Sequence, residues 1–478
     1  MQVVVILSAL IICRATARQV DFCYADNDDP YLYFASKTSY HFIHGGKTPF
    51  QVVPHCQPVQ MWMLSRHGAR YPSKEELSKL VALPKLREQI VHNHEHRSLG
   101  HLCNQDLDNL KLWNPDPKLT PEWSRRLTPE GVDDSRLFAR RLQSNFPELL
   151  QPNMANITSD NYKFRSTSSD RTRSSMEAFM EGLFGSKNAV TSMDAPRGND
   201  TLLKAYANCS VWKDGNDGEP LLAEEHDKFL VGPEMTNVLQ NISKRLGFLY
   251  TLSQDTVQSM YDMCRYEKAW AVGKLSAWCA PFTEEELRVF EYAEDIEYNY
   301  AAGNGRKVNT RLGCSPLQDM FNHFKLLERG DTTGQPKGIF YFTHSVTLVS
   351  FLTSMGIAED SEPLLASSYK QMAKRQFRTS IIVPFNGNLV AVFYRCNEHE
   401  RPNKVMFYLQ EKPLMFTGCD VGLCDWEYLK NTLGDLAVEC DPNFCWNGSG
   451  VSANQAWSII ALTTLALLPV LGRWNCSN

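Results

Sequence analysis

The heptapeptide Arg66-His67-Gly68-Ala69-Arg70-Tyr71-Pro72 sets one imidazole between two guanidiniums on a single short segment. Phosphoryl transfer calls for such a set: a nucleophile in line with the leaving oxygen and fixed cations for the equatorial oxygens. Arginine suits the second task better than lysine, because its planar fork grips two oxygens at once. Gly68 permits close backbone approach, and Pro72 pins the exit from the loop. Two distant residues join this chemistry by position. Arg171 opens a helical pattern and His344 follows an apolar stretch, both places where helix N-termini offer N–H groups to phosphate. The candidate catalytic residues are His67 and His344; the candidate phosphate ligands are Arg66, Arg70 and Arg171. A second histidine group, His92, His94, His96 and His101, lies in a charged stretch without a fitting helical period and reads as a solvated loop rather than a metal site.

The elements that must position these residues repeat one plan three times. Val59 to Leu64 is an apolar strand, followed by the Arg66–Pro72 loop. A helix start comes next, where Ser73 and Glu76 form a capping box and Leu77, Leu80 and Val81 share a face. Tyr162 to Phe164 is a strand leading through a Ser/Thr-rich loop into a helix with Met176, Phe179, Met180 and Leu183 on one side, stopped by Gly185. Gly338 to Phe342 leads through Thr343-His344-Ser345 into a helix bearing Leu348, Phe351, Leu352 and Met355, stopped by Gly356. Strands feeding helices in this way predict an α/β fold with a mainly parallel sheet flanked by helices. Ligands in such sheets bind beyond the carboxyl ends of the strands. Ile381–Val383 and Leu389–Tyr394 flank Asn386-Gly387, a hairpin signal expected at the far end of the sheet. Residues 191–312 read instead as an inserted helical lobe, with helical patterns over Glu234–Leu252, Gln254–Glu267 and Glu284–Ala302. The α/β domain then comprises residues 18–190 and 313–446.

A net charge of −5 over 478 residues excludes a global basic field for nucleic acid, so a small anionic phosphorylated substrate would need a local cluster of cations. Both ends read as processing signals. Val3 to Ile12 with Ala15-Thr16-Ala17 makes residues 1–17 a signal peptide. Small residues, a polar spacer and the apolar run Ala456–Leu471 make residues 450–478 a glycolipid (GPI) anchor signal, with a transmembrane tail as the alternative. The expected location is the secretory pathway and the extracellular face of the plasma membrane, or the medium. Fourteen cysteines become twelve once Cys13 and Cys476 are removed, an even number suited to disulfides. Cys419/Cys424 and Cys440/Cys445 are expected to close two local loops. Upstream of the apolar tail, five N-x-Ser/Thr sequons begin at Asn156, Asn199, Asn208, Asn241 and Asn447 and require surface positions.

The heptapeptide matches in full the RHGxRxP signature of the histidine acid phosphatases, and the chain more narrowly resembles the multiple inositol polyphosphate phosphatases. Tyr33–Tyr40 (YFASKTSY), Cys56–Gln60, Leu127–Gly131 (LTPEG), Trp278-Cys279 and Val308–Asp319 (VNTRLGCSPLQD) all look like that family. The resemblance implies a two-lobed, phosphoglycerate-mutase-like α/β fold, no metal or other cofactor, and a phosphohistidine intermediate at His67. It also implies that Arg66, Arg70, Arg171 and His344 hold phosphate. The implied substrates are inositol hexakisphosphate and lower inositol polyphosphates, with 2,3-bisphosphoglycerate as a further one.

One position departs from the family pattern. The family carries His-Ala-Glu around the second histidine, with Glu as proton donor to the leaving alcohol; here the tripeptide is His344-Ser345-Val346. A carboxyl at position 346 would be expected to face the leaving oxygen, and valine cannot donate a proton. Water, Ser345 or a carboxyl from elsewhere in the crevice, the helical lobe included, would have to serve. The alternative reading is an impaired or inactive relative that binds anionic phosphates at the cell surface. Retention of His67 favours the enzyme, because a binder needs the arginines and not the imidazole.

Overall fold

The computed structural model describes residues 22–26, 31–44, 53–196, 198–214, 223–397, 400–419, 421–441 and 443–447; both expected processing signals lie outside the described residues. Seven strands form one sheet: β1 (Cys56–Arg66), β2 (Tyr162–Ser166), β3 (Gly338–Thr343), β4 (Asn388–Cys396), β5 (Asn403–Leu409), β6 (Lys412–Pro413) and β7 (Leu423–Asp425). Their order is β2-β3-β1-β4-β5-β6, with β7 also paired to β5. The strands that lead into the candidate site, β2, β3 and β1, are parallel; β4 and β5 continue the sheet antiparallel. Every residue of β3 is buried, as is β1 from Gln60 to Arg66. Parallel strands covered on both faces must be apolar on both, so these segments read as continuous runs rather than alternations.

The register decides where the chemistry emerges. Arg66 stands opposite Thr343, and Ser166 opposite Phe342. His67, Thr167 and His344 therefore leave the sheet side by side at its carboxyl edge. Backbone hydrogen bonds carry the pairing past the strand ends: His67 N–H donates to Thr343 O at 3.1 Å and Thr167 N–H to Phe342 O at 3.2 Å.

Each strand feeds its helix. The capping box between Ser73 and Glu76 opens Lys74–Leu80, Asp170–Phe184 stops at Gly185 with φ +78°, and His344 is the N-cap of Ser345–Ser354. The apolar faces of the last two helices are buried as expected. Val81 differs: it is 76% exposed, because the short first helix meets the core only through Leu80. Ile381–Val383 also differs. Its first two residues end a short helix, Thr379–Ile382, held by Asp295, which accepts from Thr379 N–H at 2.7 Å. The turn at Asn386-Gly387 then leads into β4 beside β1, in the middle of the sheet rather than at its far end.

The described elements between residues 198 and 312 are all helical, the long ones being Pro233–Arg245, Gln254–Trp270 and Glu284–Ala301. The first ends earlier than its pattern suggested, since Gly247 takes φ +79° and lies against Asn93 and Gly100. Leu80, Leu86 and Ile90 share one apolar cluster with Met235, Val238 and Ile242, so the helices that follow the first loop pack onto this lobe. Leu83–Glu95 is itself a helix, which corrects the loop reading of the histidines, while His92 and His96 are solvent-exposed as expected. His94 completes its buried stripe with Leu83, Leu86 and Ile90, accepting Leu102 N–H at Nε2 and donating from Nδ1 to Ile90 O. A histidine used as a core residue hides the helical period.

Six disulfides join the twelve described cysteines: 23–103, 56–396, 209–445, 264–279, 314–440 and 419–424. The local Cys419–Cys424 link forms as expected, but Cys440 and Cys445 do not pair with each other. Cys440 follows the helix Trp426–Val438, whose Ala437 O accepts from Gln318 on Cys314–Leu327, and packing thus brings it to Cys314. Asn156, Asn199, Asn208 and Asn241 are exposed.

The catalytic-type loop rests on a pair of glycines. Thr128 N–H donates to Ala69 O at 2.9 Å and Tyr71 N–H to Arg126 O at 2.9 Å, which stitches 66–72 to 125–131. A Cβ on Gly68 would lie 2.5 Å from Gly131 O, and one on Gly131 would lie 2.3 Å from Ala69 O. Gly131→Ala is expected to cost about 1–3 kcal/mol, because neither backbone can yield without breaking the stitching. The measurement is a denaturation midpoint that falls at unchanged slope.

Candidate active site

A cleft of about 720 Å³ opens at the carboxyl edge of the sheet, and Arg66, His67, Arg70, Arg171 and His344 all line it. Three strand ends and one register thus bring together every residue expected from the sequence.

His67 is buried, and its Nδ1 lies 2.9 Å from Gly68 O. A carbonyl only accepts, so Nδ1 carries the proton and Nε2 keeps its lone pair. Burial, and then Arg66, Arg171, His344 and Arg70, hold its pKa well below the ordinary histidine value. The ring is therefore neutral even in mildly acidic solution. His344 lies edge-on to it, ring centres 5.7 Å apart. Arg171 Nη2 donates to His344 Nδ1 at 3.1 Å, which leaves Nε2–H to donate to Thr167 Oγ1 at 3.1 Å. Burial and Arg171 push the His344 pKa down as well.

The three guanidiniums are held differently. Arg66 is buried against the Phe385 ring, 4.8 Å from its centre, and donates through Nη1 to Val383 O at 2.6 Å and to Ser36 O. Arg70 pairs with Glu76 at 3.1 Å and lies over Tyr266. Burial lowers the pKa of Arg66 and of Arg171 to about 10, still cationic at any physiological pH. Neither has a carboxylate partner among the described residues, and the Nε of each is buried without a hydrogen bond. Buried cations without counter-charge are costly, and an oxyanion is the partner that offsets such a cost.

Sequence reasoning missed much of the cleft wall. Lys37, Lys79, Arg125, Lys204 and Arg265 line it too. Lys37 lies inside the YFASKTSY segment, whose value was visible only as a resemblance; the other four carry no local signal. That segment works as a bracket. Ser36 O holds Arg66, Ser36 N–H donates to Glu294 at 3.0 Å, and Phe385 N–H donates to Thr38 O at 3.0 Å. Val346 also falls elsewhere than expected. It packs, partly buried, against the apolar core, while His344 and Ser345 form the cleft wall at this turn. Among the described residues the one group of metal-ligand type is Cys23, Cys103 and Asp106, whose two cysteines are joined to each other.

Comparison with known proteins agrees with this geometry. The family model described as histidine phosphatase superfamily (branch 2) matches residues 59–410. Multiple inositol polyphosphate phosphatase 1 of Drosophila melanogaster is 35% identical over 473 residues, 97% of this chain and 99% of that protein. The Homo sapiens protein of the same name is 29% identical, covering 85% of this chain and 87% of its own. Among solved structures, the phytase from D. castellii superposes with a TM-score of 0.69 at 16% identity, over 95% of this chain and 96% of that one. The Bifidobacterium longum multiple inositol polyphosphate phosphatase, in complex with inositol hexasulfate, gives 0.62 at 13% identity, over 84% of this chain and 97% of that one; these two likenesses concern the fold. With a neutral, tautomerically fixed His67 among three guanidiniums and a family match across the whole catalytic region, the chain belongs to branch 2 of the histidine phosphatase superfamily and is a phosphatase of the histidine acid phosphatase type.

Proposed function

We propose that this phosphatase hydrolyses inositol polyphosphates, inositol hexakisphosphate and its lower forms, through a phosphohistidine at His67. The observation that carries the reading is the charge of the cleft. To Arg66, Arg70 and Arg171 at its floor it adds Lys37, Lys79, Arg125, Lys204 and Arg265, eight cations against the four carboxylates Glu76, Asp255, Glu294 and Glu297. One phosphate needs only the floor; the surplus and the volume of about 720 Å³ suit a ring bearing several. The names of the relatives support the same substrate class, with 2,3-bisphosphoglycerate as a smaller candidate.

In this reading the His67 Nε2 lone pair attacks phosphorus in line with the ester oxygen. Arg66, Arg70 and Arg171 bind the equatorial oxygens, whose charge grows in the transition state. His344, held by Arg171 and Thr167, keeps that guanidinium in place. Water then hydrolyses the phosphohistidine. A protein that only binds phosphates would need the guanidiniums but not a neutral imidazole of fixed tautomer, and this favours turnover over the binding alternative.

Phosphate release from inositol hexakisphosphate, scanned over pH, tests the proposal. His67→Ala is expected to abolish release and any acid-labile phosphoenzyme; wild-type rates in that variant would remove the nucleophile. Arg171→Ala is expected to cost about 10²–10³ in kcat. The nucleophile must be neutral, and its pKa is depressed, so kcat/KM should hold as pH falls below 6.5 and decline only through the lowered pKa. Removing Arg171, a like charge, should move that acid limb upward.

The location is part of the proposal. Six disulfides support an oxidising compartment, and the small-residue, spacer and apolar-tail order of residues 448–478 supports a glycolipid anchor. Phosphatidylinositol-specific phospholipase C is expected to release the protein from intact cells; retention until detergent is added would mean a transmembrane tail.

A further inference from the structure

Hydrolysis of an inositol phosphate expels an alkoxide, which is too basic to leave without a proton. The turn after His344 supplies no acid, since Ser345 is a hydroxyl and Val346 lies on the core. Four carboxylates line the cleft, and three are engaged with cations. Glu76 pairs with Arg70 at 3.1 Å and Lys37 at 3.4 Å. Asp255 pairs with Lys79 at the exposed rim. Glu294 binds Arg265 and accepts Ser36 N–H. Glu297 has no ion pair or hydrogen bond among the described residues.

Its place fits the missing role. Phe290, Ala293, Glu294, Glu297 and Tyr298 all line the cleft, at the i, i+3, i+4, i+7 and i+8 spacing of one face of the helix Glu284–Ala301. Tyr298 hydroxyl meets Ser345 Oγ at 2.9 Å, so this face lies against the turn that begins at His344. Arg66 feels the charge of Glu294, which precedes Glu297 by three residues on the same face.

We propose that Glu297 is the proton donor to the leaving oxygen, an assignment that rests on the phosphatase reading above. As His67 Nε2 bonds to phosphorus and the ester P–O bond breaks, the Glu297 carboxyl gives its proton to the departing inositol oxygen. The resulting carboxylate then takes a proton from the water that attacks the phosphohistidine. His67 leaves with the N–P electron pair, phosphate is released, and the acid is restored.

The surroundings support the protonated form. Burial and the Glu294 carboxylate raise the Glu297 pKa above the ordinary value, against His226, Lys37 and Arg265. Burial would raise Glu294 too, but Arg265, Lys37 and Ser36 outweigh it and bring that group to about 2. Two carboxyls three residues apart are thereby driven apart, one a permanent anion and the other an acid, as general acid catalysis requires.

The test compares Glu297→Gln with wild type on inositol hexakisphosphate and on p-nitrophenyl phosphate across pH. Loss of the acid is expected to lower kcat/KM on the inositol ester by about 10²–10⁴-fold. The aryl ester should change little in kcat/KM, which ends at phosphoryl transfer to His67, because nitrophenolate leaves without a proton, and its turnover also reports that the variant folds. Wild-type kcat on the inositol ester should fall as pH rises through the Glu297 pKa, and that limb should vanish in the variant. Glu297→Asp, which keeps a carboxyl, should retain the limb at reduced rate. An unchanged inositol kcat/KM, equal losses of kcat/KM on both esters in a variant that melts like wild type, or a persisting limb would overturn the assignment. A wild type that cleaves aryl but not inositol phosphates removes the inositol reading alone. Glycerol 2-phosphate then replaces the inositol ester: a selective loss on it supports Glu297, and no selective loss overturns it. A wild type that releases phosphate from no ester overturns both.

Discussion

Much of this molecule is arranged around the burial of Arg66, and the partial burial of Arg171, without carboxylate partners beside a neutral imidazole. Guanidiniums in that state repel one another and lose solvation, so something rigid must hold them. Main-chain oxygens do so for Arg66, from Ser36 on the N-terminal segment and Val383 after the short helix Thr379–Ile382. Neutral acceptors fix the side chain without cancelling its charge. A carboxylate in the same place would hold Arg66 just as firmly and spoil it for phosphate. Arg70, which does have such a partner in Glu76, shares that carboxylate with Lys37, the Ser73 N–H and Tyr266.

The same economy governs the imidazoles. Each histidine has one ring nitrogen committed in a way that sets the other: Gly68 O for His67, Arg171 for His344. The cationic surroundings then depress both pKa values, which keeps His67 nucleophilic in acid. Charge that binds the substrate also keeps the nucleophile unprotonated. Gly68 and Gly131 let the loop come close enough to the helix Pro129–Asn145 for this arrangement to form, and Ser175 Oγ accepts the Gly68 N–H from the other side.

In the proposed reaction the helical lobe contributes the acid that an inositol ester needs and an aryl ester does not. Its face on Glu284–Ala301 brings carboxylates over a cationic floor, and its Arg265 and the bracket at Ser36–Lys37 decide which of them stays ionised. The Val308–Asp319 segment serves the same joint. Gly313 lies so close to Ser350 O that a Cβ would come within 2.0 Å, which seats the helix Ser345–Ser354 behind His344.

By itself the sequence determined the nucleophile loop, the three strand-loop-helix units and the family, because these are local: a heptapeptide, apolar periods, capping and stop residues. Arg171 and His344 were legible only by analogy with the first unit, and it was the parallel register of β1, β2 and β3 that put them in contact. The helical state of the His92–His96 stretch, the partners of Cys440 and Cys445, and the placing of Ile381–Val383 were not legible. Each depends on what packs opposite, and a buried histidine or a distant cysteine leaves no period to read. Only the tertiary structure could single out Glu297 among the acids of its helix. Its difference from Glu294, three residues away, lies in contacts that only the fold makes: Arg265 and Ser36 bond Glu294 directly, whereas Glu297 feels the same cations at a distance and the Glu294 charge beside them.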